Sequence, residues 1–256
     1  MFEKSVTPPP LPLPPARRTT SPHSPPSNFA VDEEGAALPV LNVGCFNESD
    51  NYWKETAQRH GFRVRSFSAP DRQDDVYLSV YERVHLTSEQ LLLADPHLKT
   101  ANEKLRMPAS SIAQPDDGIT SIMNVRRVQR HIVKDATAVF VVCHFTAKGK
   151  ISGEPAWGTQ MAIDANIPVF AFDQLVNAWK IYDNGKFRTV DEPGLPSSST
   201  PRPTTYACLG SPFLVKTGRD AIVKLIEKIV VEREEVAKVA QVANATTYCK
   251  VNEKEK

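Results

Sequence analysis

Ala147–Asp173, AKGKISGEPAWGTQMAIDANIPVFAFD, is the stretch whose reading decides the fold. Before it runs ATAVFVV, Ala136 to Val142, an apolar segment that predicts a buried strand. A glycine-containing loop follows, then EPAWGTQMAIDAN, which reads as an amphipathic helix, then PVFAFD, a second apolar strand. Strand, loop, helix and strand in that order predict a parallel crossover unit. In such units the loop that opens the helix is the usual anion cradle, because backbone N–H groups and the helix N-terminus converge there. Glu154 and Pro155 occupy that loop. A carboxylate repels phosphate, and proline has no N–H to donate.

The same alternation extends outward in both directions. PVLNVGC reads as a short buried strand, DNYWKETAQRHG as a helix stopped at Gly61, and FRVRSFS as a half-buried strand. Residues 73–106 read as mostly helical, with Pro96 ending or kinking the run. MPASSIAQPDDG is a polar break before the helix ITSIMNVRRVQRHIV. VNAWKIYDNGKFRTV predicts a hairpin turning at Asn184–Gly185, EPGLPSSSTPRP a linker, and TTYACLG the last strand. A final helix starts near Thr217, with an apolar stripe of Ile222, Leu225, Ile226, Ile229 and Val230. The fold class that follows is α/β: a three-layer, Rossmann-like, open and mainly parallel sheet flanked by helices. Ligands in such sheets sit at the carboxyl ends of strands. Here those ends fall at residues 43–50, 146–158 and 208–213.

Composition bounds the function. The 256 residues carry a net charge of +1, which predicts no general attraction to nucleic acid. No apolar run approaches the length of a membrane span, and the first residues, MFEKSVTPPPLPLPPARRTTSP, lack the apolar core of a signal peptide. A cytoplasmic protein with no membrane contact is therefore expected. The four cysteines, Cys45, Cys143, Cys208 and Cys249, have no metal-binding spacing, and three lie in or beside strand-like runs as small buried hydrophobes. His131 and His144 lack a third ligand, so no metal site is expected. Residues 1–36 hold nine prolines between Pro8 and Pro26, and PPPLPLPP has the spacing read by aromatic-lined grooves. The chain thus divides into a Pro-rich arm at 1–36, an α/β domain at 37–231, and a helical extension and tail at 232–256.

Several segments bear a family resemblance. GCFNESDNYW, Gly44 to Trp53, is similar to a first loop of the form GGAKGADSYW. SGEPAWGTQMAID, Ser152 to Asp164, with PVFAFDQ after it, is similar to SGGTGWAVQMAID followed by PVYVFDQ. YACLGSPFL, Tyr206 to Leu214, is similar to FAGIGTREL, and MNVRRVQRHIVKDATAVFVV resembles the helix entering a strand in the same proteins. These are uncharacterised bacterial and phage members of the Rossmann-like SLOG and lysine-decarboxylase-like superfamily. That group includes cytokinin-activating phosphoribohydrolases and DNA-processing proteins.

The resemblance implies a ligand site built from Gly44, Asn47, Asp50, Ser152, Gly153, Thr159, Asp173, Gly210 and Ser211, holding a nucleotide if it holds anything. Asp50 is the candidate catalytic residue, orienting a ribose hydroxyl or activating water. Asp50 and Asp173 have structural alternatives, which are the preferred readings: Ser49 or Asp50 as a helix cap, and Asp173 as a turn or cap residue. Arg126 and Arg130 share a helix face that reads as solvated. Trp53, Trp157 and Trp179 read as core. All three loops depart from the family pattern, through Cys45 and Glu48, Glu154 and Pro155, and Cys208 and Pro212. Glu154 and Pro155 read as a self-capped helix start. The expectation is a non-catalytic structural or adaptor protein on a degenerate nucleotide-binding domain. Its arm and C-terminal helix would bind proteins of a larger assembly, cytoskeletal, ciliary or ribonucleoprotein. The alternative is an enzyme or sensor for a nucleotide or N-glycoside, of phosphoribohydrolase or deoxyribosyltransferase type.

Overall fold

The structure, a computed structural model, describes residues 38–70, 81–106, 119–195 and 204–252. The Pro-rich arm, residues 73–80 of the run expected to be helical, the polar break at 107–118 and most of the 192–203 linker lie outside the described residues.

Eight strands form one sheet. They are β1 (Val40–Val43), β2 (Arg63–Ser68), β3 (Glu82–His85), β4 (Ala138–Cys143), β5 (Val169–Asp173), β6 (Ala178–Asp183), β7 (Lys186–Val190) and β8 (Thr205–Gly210). Their spatial order is β3-β2-β1-β8-β4-β5-β6-β7. The pairs from β3 to β5 are all parallel, and β5–β6 and β6–β7 are antiparallel. The helices are α1 (Glu48–Arg59), α2 (Ser88–Leu92), α3 (Asp95–Leu105), α4 (Ile119–Val133), α5 (Pro155–Asp164) and α6 (Lys216–Asn252). The expected Rossmann-like α/β architecture is present, with a hairpin added at one edge.

The layers follow from strand periodicity. Successive side chains of a strand point to opposite faces. In β4, Ala138, Phe140 and Val142 join one core cluster, and Val139, Val141 and Cys143 join the other. The first cluster includes Trp53 and Ala57 of α1 and Ile222, Leu225, Ile226 and Ile229 of α6. The second includes Leu98 of α3, Val128 and Ile132 of α4, and Trp157 and Met161 of α5. Both faces of the sheet are covered, which is why β1, β4 and β5 are buried at every position. Phe140 anchors the α1/α6 side, its ring centroid 5.6 Å from Phe170 and 5.7 Å from Tyr206.

The expected elements need three corrections. YERV belongs to a strand, since Arg65 through Ser68 of β2 pair in register with Glu82 through His85. The helical run breaks near Pro96 as expected, but the break falls before it, between α2 and α3, and Pro96 itself sits in the first turn of α3, where its missing N–H is not required. Asn47 caps α1, not Ser49 or Asp50, which fall inside the first turn. The last helix continues past residue 231 as expected, in one piece of 37 residues, about 55 Å long. The hairpin turns as expected, with positive φ at both Asn184 and Gly185. No described helix is long and apolar enough to cross a membrane.

One feature of the topology positions the site. After β1 the chain moves outward to β2, and after β4 it moves outward in the opposite direction to β5. The reversal brings the carboxyl ends of β1, β8 and β4 side by side, so the three candidate loops leave from neighbouring strands.

Candidate functional site

The first loop and the end of β8 form one hydrogen-bonded unit. Asn47 Oδ1 accepts the Asp50 N–H at 3.0 Å, and Asn47 Nδ2 donates to the Gly210 carbonyl at 3.2 Å. The Ser49 hydroxyl donates to the Ser211 carbonyl. Asp50 turns back, and its Oδ2 accepts the Phe46 N–H at 2.9 Å. Both glycines are required by this closeness. A Cβ on Gly44 would lie 2.6 Å from Asp50 Oδ2, and one on Gly210 would lie 2.2 Å from Ser49 Cβ. Glycine is retained here for packing of the chain against itself. Asp50 is 4% exposed, and burial raises its pKa to about 6 against the pull of the Phe46 N–H, the Lys54 ammonium and the Asn47 N–H.

The second loop is a short hairpin followed by a helix start. Phe145 and Ile151 form an isolated antiparallel bridge, and the Ser152 N–H donates to the His144 carbonyl at 2.9 Å. Gly153 has φ +77°, the left-handed turn that leads into α5. The first-turn donors of α5 are then all accounted for. Pro155 has none. Ala156 N–H donates to the Gly153 carbonyl at 3.1 Å and Trp157 N–H to the Glu154 carbonyl at 3.3 Å. Gly158 N–H donates to Gln129 Oε1 of α4 at 2.7 Å. Orphan N–H groups of a helix start are what an anion binds, and here the protein supplies their acceptors itself.

Glu154 does not cap this helix, contrary to the expectation of a self-capped start. Its carboxylate reaches α4 and receives both Nε and Nη2 of Arg126, at 3.2 and 3.1 Å. The same guanidinium lies 3.7 Å from the centroid of the Trp157 ring. Arg126 is 8% exposed, so the solvated face expected for it is a buried fork and stack instead. Sequence reading missed this pair because the two residues sit 28 apart on different elements.

The third loop is held by Gln174, whose role the sequence did not signal. Gln174 N–H donates to the Cys143 carbonyl at 3.0 Å. Its side chain donates to the Phe213 carbonyl and accepts the Val215 N–H, each at 3.0 Å. Ser211 is occupied twice over, its N–H on the Val142 carbonyl at 2.9 Å and its Oγ accepting from Phe213 N–H at 3.3 Å. Asp173 pairs with Lys180 of β6 at 2.8 Å and accepts the Leu175 N–H at 3.2 Å, the turn role its alternative reading gave it. Thr159 is buried within α5, and its Oγ1 has no hydrogen-bond partner.

The structure therefore brings Gly44, Asn47, Asp50, Gly210 and Ser211 into one cluster. Ser152 and Gly153 stand on a separate loop across β4, and Asp173 faces the β6 side. Cys143 and Cys208 are buried thiols, and burial pushes both well above the ordinary thiol range, with no thiolate available near neutral pH. His131 bonds the Gln90 carbonyl at 2.9 Å, and burial lowers its pKa. Among the described residues, no group of three or more His, Cys, Asp or Glu is placed to hold a metal ion. The three tryptophans are core, at 0%, 4% and 8% exposure. No family model, no curated protein and no solved structure matches this chain.

Proposed function

We propose that the chain is a non-catalytic structural or adaptor protein, built on a nucleotide-binding type of α/β domain whose ligand loops have become self-satisfied. The observation that carries this is the start of α5. Its N–H groups are spent on Gly153, Glu154 and Gln129, and its Glu154 is forked onto Arg126. An incoming phosphate would have to displace protein acceptors and approach a carboxylate. The first and third loops repeat the pattern through Asp50, Asn47, Ser211 and Gln174. In this reading residues 1–36 and the length of α6 beyond the domain carry the contacts to other proteins.

The test is a thermal-shift series with nucleoside mono-, di- and triphosphates. A ligand at about 100 times its Kd adds about 2.7 kcal/mol, which moves the Tm of a domain this size by about 5–10 °C. The expected result is no dose-dependent shift for any of them. A shift of that size, lost in Asp50→Ala, would overturn the proposal. It would support the second reading, a hydrolase or transferase acting on an N-glycosidic bond. One observation favours that alternative: Asp50 is a buried carboxyl at a strand end with its pKa near 6, as a general acid or base requires.

A further inference from the structure

On the α6 face a cleft of about 840 Å³ runs between α6 and the β6–β7 side of the domain. The helix lines it with one stripe, from Thr217 and Ala221 through Leu225 to Val231, a length of about 20 Å. Phe172 and Trp179 form part of its floor. Its charge is one-sided. Asp191, Glu192, Asp220, Glu227 and Glu232 line it against only Lys224 and Lys228. Lys228 is already paired with Glu192, and Lys216 with Asp220. Asp191, Glu227 and Glu232 form no ion pair among the described residues.

We infer that this cleft is the docking site of the chain's own segment Pro8–Arg18, PPPLPLPPARR. Three facts select this occupant. The first is shape: a proline run adopts an extended helix of about 3.1 Å per residue, so about seven residues match the lined length of α6 at little entropic cost. The second is charge: Arg17 and Arg18 follow the run directly, no acidic residue lies between Pro8 and Arg18, and forked Arg–carboxylate pairing suits Asp191, Glu227 and Glu232. The third is reach. Residues 19–37 separate the segment from Leu38, just before β1, and span up to about 60 Å when extended, more than the roughly 40 Å width of a domain this size. The docking is independent of whether the ligand loops bind a nucleotide. It makes the arm a self-held segment, released when a partner competes for the prolines or for the acidic rim.

Two measurements on the full chain decide this. In limited trypsin digestion, cleavage after Arg17 and Arg18 is expected to be about tenfold slower than in a Glu227→Lys/Glu232→Lys variant, with cleavage after Lys4 equal in both. Glu227 is exposed and Glu232 half-buried on α6, and unchanged circular dichroism confirms the fold. A photo-crosslinking residue at Leu13 should join peptides from 217–232 of the same chain. Arg17→Glu/Arg18→Glu should abolish that link, and combining the two double variants should restore it. Equal cleavage in both proteins, or links that map elsewhere, would overturn the inference. So would links between differently isotope-labelled copies, which would place a second chain in the cleft.

Discussion

Asp50 gives the sharpest prediction, because its burial sets a cost that pH can tune. The carboxyl is 4% exposed, and its pKa is raised from 3.8 to about 6, a value that already includes the favourable Phe46 N–H and Lys54. The folded chain therefore holds a proton on Asp50 more tightly than the unfolded chain. The stability this confers is fully present below about pH 4 and is lost as pH rises through 6. Above pH 7 the ionised carboxylate costs about 3 kcal/mol relative to a protonated one. Asp50→Asn removes the charge and keeps an oxygen able to accept the Phe46 N–H. At pH 7.5 the variant should be more stable by about 1–3 kcal/mol, a rise in Tm of roughly 3–10 °C. Its advantage should shrink by about 2 kcal/mol between pH 7.5 and pH 4.5, measured as urea midpoints at fixed m-value. Asp50→Ala loses the acceptor too, and should gain less at every pH. An advantage that does not vary with pH, or an Asn variant less stable than the parent at pH 7.5, would refute the assignment of a buried, strained charge.

Three further outcomes follow from the same geometry. Gly210→Ala places a methyl carbon 2.2 Å from Ser49 Cβ, so it should cost more than about 2 kcal/mol in a thermal or urea melt, with partial recovery in Gly210→Ala/Ser49→Gly. Glu154→Ala leaves the 8%-exposed Arg126 guanidinium without its fork, and a loss of about 3 kcal/mol is expected; Arg126→Met/Glu154→Ala should recover much of it. Gln174→Ala frees the Val215 N–H and Phe213 carbonyl. Hydrogen exchange across residues 211–215 should then rise about tenfold while β4 and β8 stay protected.

What was legible in the sequence was what periodicity encodes. β4, α5 and β5 are each apolar or amphipathic over their whole length, and α4 was bounded correctly because its helical pattern is uninterrupted from Ile119 to Val133. β3 was missed because ERVH alternates weakly, is only half-buried, and exists by pairing with β2 at a sheet edge. Glu154 was singled out as the wrong residue for an anion cradle, but its partner was not found. A guanidinium 28 residues away leaves no local signature, and Arg126 with Arg130 reads as a solvated helix face until α4 is packed against α5. Gln174 was invisible for a similar reason. Three of its four contacts are to backbone groups of β4 and the third loop, which carry no sequence information, and the fourth is the Thr217 hydroxyl of α6 donating to the Gln174 carbonyl. Asp50 was found, though as a candidate catalyst or cap, and its tie to Phe46 closes the first loop on itself.

The position of β8 has a consequence for synthesis. It is the last strand made, yet it lies between β1 and β4 and hydrogen-bonds to both. Until Thr205–Gly210 has left the ribosome, the nascent chain can build only two half-sheets, β1–β3 and β4–β7. Each ends in an open edge strand that the finished fold buries at every position, β1 in one and β4 in the other. At about 5–20 residues per second, β4 waits several seconds for its neighbour. Unpaired edges of that kind recruit other strands. The chain's most aggregation-prone moment therefore falls late in translation, and a stop codon between Val190 and Thr205 releases two half-sheets without the strand that joins them.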